Sequence, residues 1–354
     1  MLIFQFLFLM CYATQAQQNH YRKIFKINNV AYTQTDDFPY VILKEGEVAS
    51  SQIITNKNDL KNMGFGYADT LISIVTKAYL SRPDSVKRIP SQLQLFIKND
   101  KFYLDTTKQP YSGPFVNYYI NGKKEASGTI LNGVMEGFTY IFYMNGNIKE
   151  LRYYYAGKRD STNEEYFADG ILKSKGKYKD GQKEDNWQTW YSNGEIKSDL
   201  FFQHSAAIVD GPEFEFYRIF NDALVKLGDK NYRAAIKLFN QCHDLRSDYD
   251  ELYYFRGVCY RMLKKYDEAL QDFNDGLAIE PQSVDIRMQK VYTGCQVLTM
   301  YKSNNYKQSV IADLNREICK DVQKLLQQEY YSLELDEITS SSCLDKSAIV
   351  VKPY

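Results

Sequence analysis

Tyr118-Tyr119-Ile120-Asn121-Gly122 returns 24 residues later as Phe142-Tyr143-Met144-Asn145-Gly146, again as Tyr166-Phe167-Ala168-Asp169-Gly170, and again as Trp190-Tyr191-Ser192-Asn193-Gly194. Gly133, Gly157 and Gly181 keep the same step. So does a third track, Gly113, Gly137, Ser161 and Asp185, which is small or polar throughout. Three tracks in register over four units define an array of repeats rather than a single globule. Asn-Gly and Asp-Gly fit a two-residue turn with positive φ at both positions. Each is preceded by an aromatic strand and followed by a lysine-bearing one, such as Lys123-Lys124-Glu125, and a second turn follows at Asn132-Gly133, Ala156-Gly157 or Asp180-Gly181. Each unit therefore predicts a hairpin. A lone hairpin is marginal in water, so the units must pair edge to edge, giving an antiparallel β-meander over residues 91–210. Most of its aromatic side chains are expected to pack on one another across strands. Trp190 is the ring singled out for a partner or a glycan.

These units resemble the bacterial MORN-variant repeat, in which an aromatic strand, an Asn-Gly turn, a Lys-rich strand and a second Asn-Gly turn recur. The resemblance covers about residues 111–200, with a half-unit before it where Phe102-Tyr103-Leu104 leads into Lys108 to Gly113. The third unit departs from the pattern, with Ser161-Thr162-Asn163 in place of the Gly-aromatic pair. The family includes antitoxin-like proteins, so the resemblance implies, as one alternative, an antitoxin or immunity protein that masks a toxin through the β array.

Beyond residue 210 the period changes: Tyr232, Ala235 and Phe239 return 34 residues later as Tyr266, Ala269 and Phe273. That step resembles the tetratricopeptide (TPR) repeat, a pair of antiparallel helices. The second unit matches it closely, with Tyr253, Gly257 and Tyr260 on the first helix, Ala269 and Phe273 on the second, then Gly276 and Pro281. Small residues belong where the paired helices touch, and Pro281 stops the second helix by blocking a carbonyl one turn back. The first unit is degenerate, with Ile219 and Ala223 at the Tyr and Gly positions and Ser247 in place of the proline. A third pair is predicted near Val284–Lys302 and Asn305–Glu329, where Tyr306 and Ser309 echo the Tyr-Ala spacing, and it completes a helical array over residues 211–330. The resemblance implies that peptides or helices lie in the concave face formed by the first helices. The matching positions in the second unit are Glu251, Tyr254, Val258 and Arg261. Tyr254 and Val258 displace the basic-plus-Asn set that holds C-terminal carboxylates in chaperone-binding members. The array is also short enough to dock on the β array as a spacer.

The fold class is thus α+β and multidomain. Residues 17–90 are expected to form a small α+β region, with strands near Phe38–Leu43 and Leu71–Lys77, and their order resembles the plug domain of outer-membrane receptors, over too short a stretch for a full plug. Residues 82–90 predict a linker, and residues 331–354 a tail or an added edge strand. At the start, Leu2 to Met10 is apolar apart from Gln5, and Thr14-Gln15-Ala16 offers small residues for a signal peptidase, so residues 1–16 predict a secretory signal peptide. Export would place the protein in the periplasm, at the cell surface or outside the cell, with a peripheral envelope association and no transmembrane span.

Forty-four basic residues balance 44 acidic ones, which argues against a nucleic-acid partner, since that needs a basic face. Cys242, Cys259, Cys295, Cys319 and Cys343 follow the signal region, an odd and widely spaced set with no CxxC; they predict core thiols and leave one disulfide open. His20, His204 and His243 lie far apart, and no HExxH, GxSxG, P-loop or Rossmann glycine pattern occurs. No catalytic residue, metal ligand or cofactor is therefore assigned. The sequence predicts an exported, non-catalytic adaptor or scaffold of a bacterial envelope that binds protein or peptide, with the antitoxin-like protein and a glycan-binding module as alternatives.

Overall fold

The structure is a computed structural model and describes residues 23–32, 41–104, 109–119, 121–209, 211, 213–328, 343 and 348–351. The expected signal peptide, His20, Lys108 and most of the tail lie outside the described residues. At the N-terminal end come β1 (Lys23–Ile27), β2 (Val30–Tyr32), β3 (Val41–Lys44), β4 (Val48–Ile54), α1 (Lys57–Asn62), β5 (Thr70–Thr76) and α2 (Lys77–Leu80). Four of the strands form a sheet in the order β2-β1-β5-β4, with β1 and β5 parallel. Ile24, Ile54, Leu60, Ala68 and Leu71 make its core. β3 stands apart and pairs antiparallel with β17 (Ala348–Val351), so the apolar end of the chain is an added strand.

Residues 82–90 are not a linker. Pro83 is the N-cap of α3 (Asp84–Lys87), where its missing N–H costs the helix no hydrogen bond. Arg82 lies over the Tyr118 ring at 3.7 Å, Val116 N–H donates to the Pro90 carbonyl, and Asn117 accepts from Ser91 and from the Gln92 amide. The segment thus packs the N-terminal region onto the first strand of the meander. Before the meander comes a hairpin of β6 (Phe96–Lys98) and β7 (Lys101–Tyr103), in which Phe102 of the expected half-unit donates its N–H to the Gly133 carbonyl.

The meander is a nine-stranded antiparallel sheet in strict chain order: β8 (Gly113–Tyr118), β9 (Lys124–Leu131), β10 (Val134–Phe142), β11 (Ile148–Tyr155), β12 (Lys158–Tyr166), β13 (Leu172–Lys179), β14 (Gln182–Trp190), β15 (Ile196–Gln203) and β16 (Ala206–Ile208). Its two turn classes differ. At Asn132-Gly133, Ala156-Gly157 and Asp180-Gly181 both residues have positive φ, the two-residue turn expected of such dipeptides. At Asn121-Gly122, Asn145-Gly146, Asp169-Gly170 and Asn193-Gly194 only the glycine does. Here the expectation is corrected. Gly146 N–H donates to the Tyr143 carbonyl, and the Asn145 side chain accepts from Asn147 N–H, so the loop is a type I turn closed by a left-handed glycine. The ladder slips by one residue beside each such turn, for example between Ile141 and Phe142. The small-or-polar track is explained by another irregularity: Gly137, Ser161 and Asp185 have φ of 72°, 56° and 59°, and the register shifts near them. A Cβ is costly there unless the side chain is short and polar.

One face of this sheet carries a buried row at the 24-residue step, Phe115, Thr139, Asn163 and Trp187. Gly176 lies under Trp187, so that a Cβ added there would fall 2.1 Å from the indole. Helices follow: α4 (Glu213–Gly228), α5 (Tyr232–Leu245), α6 (Asp250–Met262), α7 (Tyr266–Ile279), α8 (Val284–Ser303) and α9 (Gln308–Gln327). Gly257 faces the Phe273 ring, where a Cβ would come within 2.6 Å, so the small residue is set by helix-to-helix contact. Ile219 and Ala223 are buried and fill the degenerate first unit. Tyr306 falls before α9 rather than inside it. Asn305 takes a left-handed φ of 55°, and the Tyr306 ring stacks on Tyr301 at 4.2 Å. Cys319 and Cys343 form a disulfide; Cys242 and Cys259 are buried thiols that burial pushes up to about 11 and about 12.

Candidate protein-interaction surface

The helices lie against one edge of the sheet, the edge carrying the type I turns. Tyr191, 4% exposed, donates its hydroxyl to the Asp248 carbonyl at 2.6 Å. Ser192 N–H donates to Glu280 Oε2 at 2.9 Å, and Gln282 Nε2 donates to Asp169 Oδ2 at 3.0 Å. Lys197 Nζ stands 2.7 Å from Asp250 Oδ1 and 3.1 Å from Glu251 Oε1, while Arg246 Nη2 donates to the Lys197 carbonyl. Burial disfavours the Lys197 ammonium, but Glu251 and Asp250 outweigh it and hold its pKa above the usual lysine value.

The Tyr191 bond repeats one made inside the sheet. Tyr119 donates to the Phe142 carbonyl and Tyr143 to the Tyr166 carbonyl, each one unit ahead. At Tyr191 the acceptor belongs instead to the helical array.

The four expected positions on α6 share one face of that helix, but they meet different neighbours. Glu251 is at the docked end and is engaged by Lys197 and by the Tyr249 hydroxyl. Tyr254 and Val258 are half-buried against the cluster of Ala269, Phe273 and Ile286. Arg261 is ten residues beyond Glu251, about 15 Å along the helix and away from the sheet. Burial lowers its pKa, and the hydroxyls of Tyr254, Tyr266, Tyr292 and Tyr232 oppose that shift. Its Nε is buried without a hydrogen-bond partner, and among the described residues Arg261 forms no ion pair. Trp190 is on β14, half-buried and paired across the strands with Ile196, and is not brought together with the α6 positions. The exposed rings of the sheet are instead Phe138 and Tyr140 on β10, Tyr155 on β11 and Phe201 on β15, with Tyr153 edge-on to Phe138 at 5.0 Å.

A separate groove of about 540 Å³ between α7, α8 and α9 is lined by Arg287, Lys290, Lys324 and Asp321 among others. Asp321 holds Arg287 at 2.8 Å and Lys290 at 2.9 Å, which ties the third helix pair together. Among the described residues no helix is long and apolar enough to cross a membrane.

The residues that join the two arrays, Tyr191, Lys197, Glu280 and Gln282, were not singled out from sequence. Their signal was present in the two periods. Lys149, Lys173 and Lys197 are 24 residues apart, and Glu251 and Asp285 are 34 apart.

Comparison with known proteins bears on the helical half. Mouse sperm-associated antigen 1 is 33% identical over 78 residues, which is 22% of this chain and 8% of that protein. The human protein is 29% identical over 113 residues, 32% of this chain and 11% of that protein. The chain therefore spans about a tenth of the length of these relatives. Among solved structures, the Arabidopsis OM64 TPR domain aligns with 37% of this chain and 95% of its own at 12% identity, with a TM-score of 0.31. The second TPR domain of human RPAP3, solved with an HSP70 peptide, aligns with 37% of this chain and 96% of its own at 14% identity, with a TM-score of 0.30. Residues 251–283, from α6 to the start of α8, match the tetratricopeptide repeat family, so the helical array contains a tetratricopeptide repeat.

Proposed function

We propose that this protein is a non-catalytic adaptor that holds another protein on the concave face of its helical array, along Tyr254, Val258 and Arg261. The observation that carries this reading is Arg261. A guanidinium withdrawn from water and ringed by tyrosines, with its Nε unpaired, is costly in the free protein. A carboxylate on a bound peptide would satisfy it, and the surrounding rings would supply contact area at low entropic cost. Glu251 belongs to the internal joint in this reading, and the sheet acts as the platform on which the helices are fixed.

The finer identity follows from the sequence. The hairpin array is read as the bacterial MORN-variant repeat, and the chain as exported to the envelope, in the periplasm or at the cell surface. The Leu2–Met10 run and Thr14-Gln15-Ala16 support export, and the Cys319–Cys343 disulfide suits an oxidising compartment. Purification of tagged full-length protein from cells that express it tests the adaptor reading. A protein partner should co-purify with the wild type and be lost from Arg261→Glu while helix content stays unchanged. Recovery of the same partner by both proteins would refute the assigned face.

A further inference from the structure

The two periods are in register with each other. At two pairs of joint residues a step of 34 on the helices matches a step of one hairpin unit on the sheet, in the opposite chain direction, whereas Glu280, 34 residues beyond Arg246, reaches Ser192 of the same fourth unit that Arg246 reaches through Lys197. Asp248 and Gln282 occupy equivalent helical positions; the first accepts from Tyr191 in the fourth hairpin unit and the second donates to Asp169 in the third. Glu251 and Asp285 are likewise equivalent. Glu251 pairs with Lys197 of the fourth unit. Withdrawal from water raises the Asp285 carboxyl, and the strongest charge opposing that rise is Lys173 of the third unit. Geometry allows the match: two strands advance about 9.5 Å, and packed helices are spaced about 8–10 Å apart.

The track behind this register is an aromatic ring with a lysine over it: Tyr143 and Lys149, Phe167 and Lys173, Tyr191 and Lys197, at 5.4, 5.7 and 5.7 Å. Phe167 and Tyr191, where the helices lie, are 6% and 4% exposed. In the second unit the ring, Tyr143, is only half-buried, while Lys149 is exposed as Lys173 is. Among the described residues the last helix is α9, the second of its pair.

We infer that the Tyr143–Lys149 edge of the second hairpin unit is a docking site for a partner protein, whose occupant is the acidic first turn of a helix, placed as the next step of the helical array. Continuity with the internal joint sets the position, and charge selects the occupant: a carboxylate meets Lys149 as Glu251 meets Lys197. The inference deepens the adaptor reading and rests on it. The partner would be held by the concave face and by the sheet edge beside it.

Photo-cross-linking of the full-length protein in expressing cells tests it, with a benzophenone side chain at exposed Ile148 in one version and at Val258 in another. The expected result is a cross-link from 148 to a partner peptide within one helical turn of an Asp or Glu at a helix start. Its yield should fall about tenfold in Lys149→Glu and return in Lys149→Arg. No adduct at 148, an adduct to this chain itself, or a yield indifferent to Lys149→Glu would overturn the inference. If 258 captures a partner and 148 does not, the adaptor reading stands and the edge site falls. If neither captures a partner, both fall.

Discussion

The hairpin array and the helical array are both built by repetition, but they fix their structure at different places. In the sheet the decisive positions are where the backbone must take an unusual shape. Gly122, Gly146, Gly170 and Gly194 close the type I turns, Gly137, Ser161 and Asp185 take left-handed irregularities, and Gly128 and Gly176 make room for Phe115 and Trp187. In the helices the decisive positions are side chains that fill a groove: Phe239 and Phe273 are fully buried, and Arg256 and Asp272 pair at 2.7 Å between α6 and α7. Sheet stability is therefore sensitive to added atoms, and helix stability to removed ones.

That contrast is breakable. The largest effect is expected from Phe239→Ala, at about 3–5 kcal/mol for a fully buried ring. Both tryptophans, Trp187 and Trp190, are in the sheet, so their fluorescence follows the sheet alone while far-UV circular dichroism follows the helices. The helical signal should melt first in this variant. Gly176→Ala should act in reverse, costing about 3 kcal/mol by driving a methyl into the Trp187 ring, and the tryptophan signal should move first. If instead it melts with the wild type, the close approach of Gly176 and Trp187 is wrong.

The joint between the arrays comes next. Lys197→Met leaves Asp250 buried without its cation, and should cost about 2 kcal/mol and split the two transitions. Adding Asp250→Asn should restore part of the loss. Gly170→Ala has open space for its methyl, and its φ of 92° alone opposes it, so about 1 kcal/mol is expected. A midpoint equal to the wild type's would show that this turn does not hold its glycine in the left-handed region.

The gentlest perturbation is alkaline pH. Burial raises the Tyr191 hydroxyl, and the Glu251 and Asp250 carboxylates hold Lys197 raised against its burial. Each group keeps its proton longer in the folded than in the unfolded chain. Their contribution is complete below about pH 10, the unfolded range of both, and is lost as pH rises through the folded values. The joint should therefore be indifferent to pH between 6 and 9, and should loosen only above about pH 10 in a titration followed by the two spectroscopic probes.

Much of this was readable beforehand, for a physical reason. Turns and left-handed positions admit few residue types, so a glycine every 24 residues is a strong signal, and the small-plus-aromatic pattern of Gly257, Ala269 and Phe273 is equally restrictive. What escaped was made of permissive residues. Asn-Gly suits both a two-residue turn and the type I turn that forms, and the dipeptide does not choose between them. Pro83 and Pro90 looked like a linker because prolines serve helix starts and loops alike. The pairing of β3 with β17 joins segments about 300 residues apart with no shared pattern. At the candidate surface, Tyr254, Val258 and Arg261 were found from the helical face they share. Glu251 was found for the same reason, but its partner Lys197 was not, because lysine on a strand is ordinary and only the coincidence of two periods marks it.

The account depends on the helices being fixed to the sheet edge in register, and the amide of Ser192 reports this at a single atom. Among the described residues its hydrogen-bond acceptor is Glu280 Oε2, across the joint. Hydrogen exchange of that amide in the full-length protein should be slow, and should approach the rate of an open turn in Glu280→Ala while Tyr191 and Gly194 amides stay protected within their own turn. A Ser192 amide that already exchanges freely in the wild type would mean that the two arrays are not held together as described.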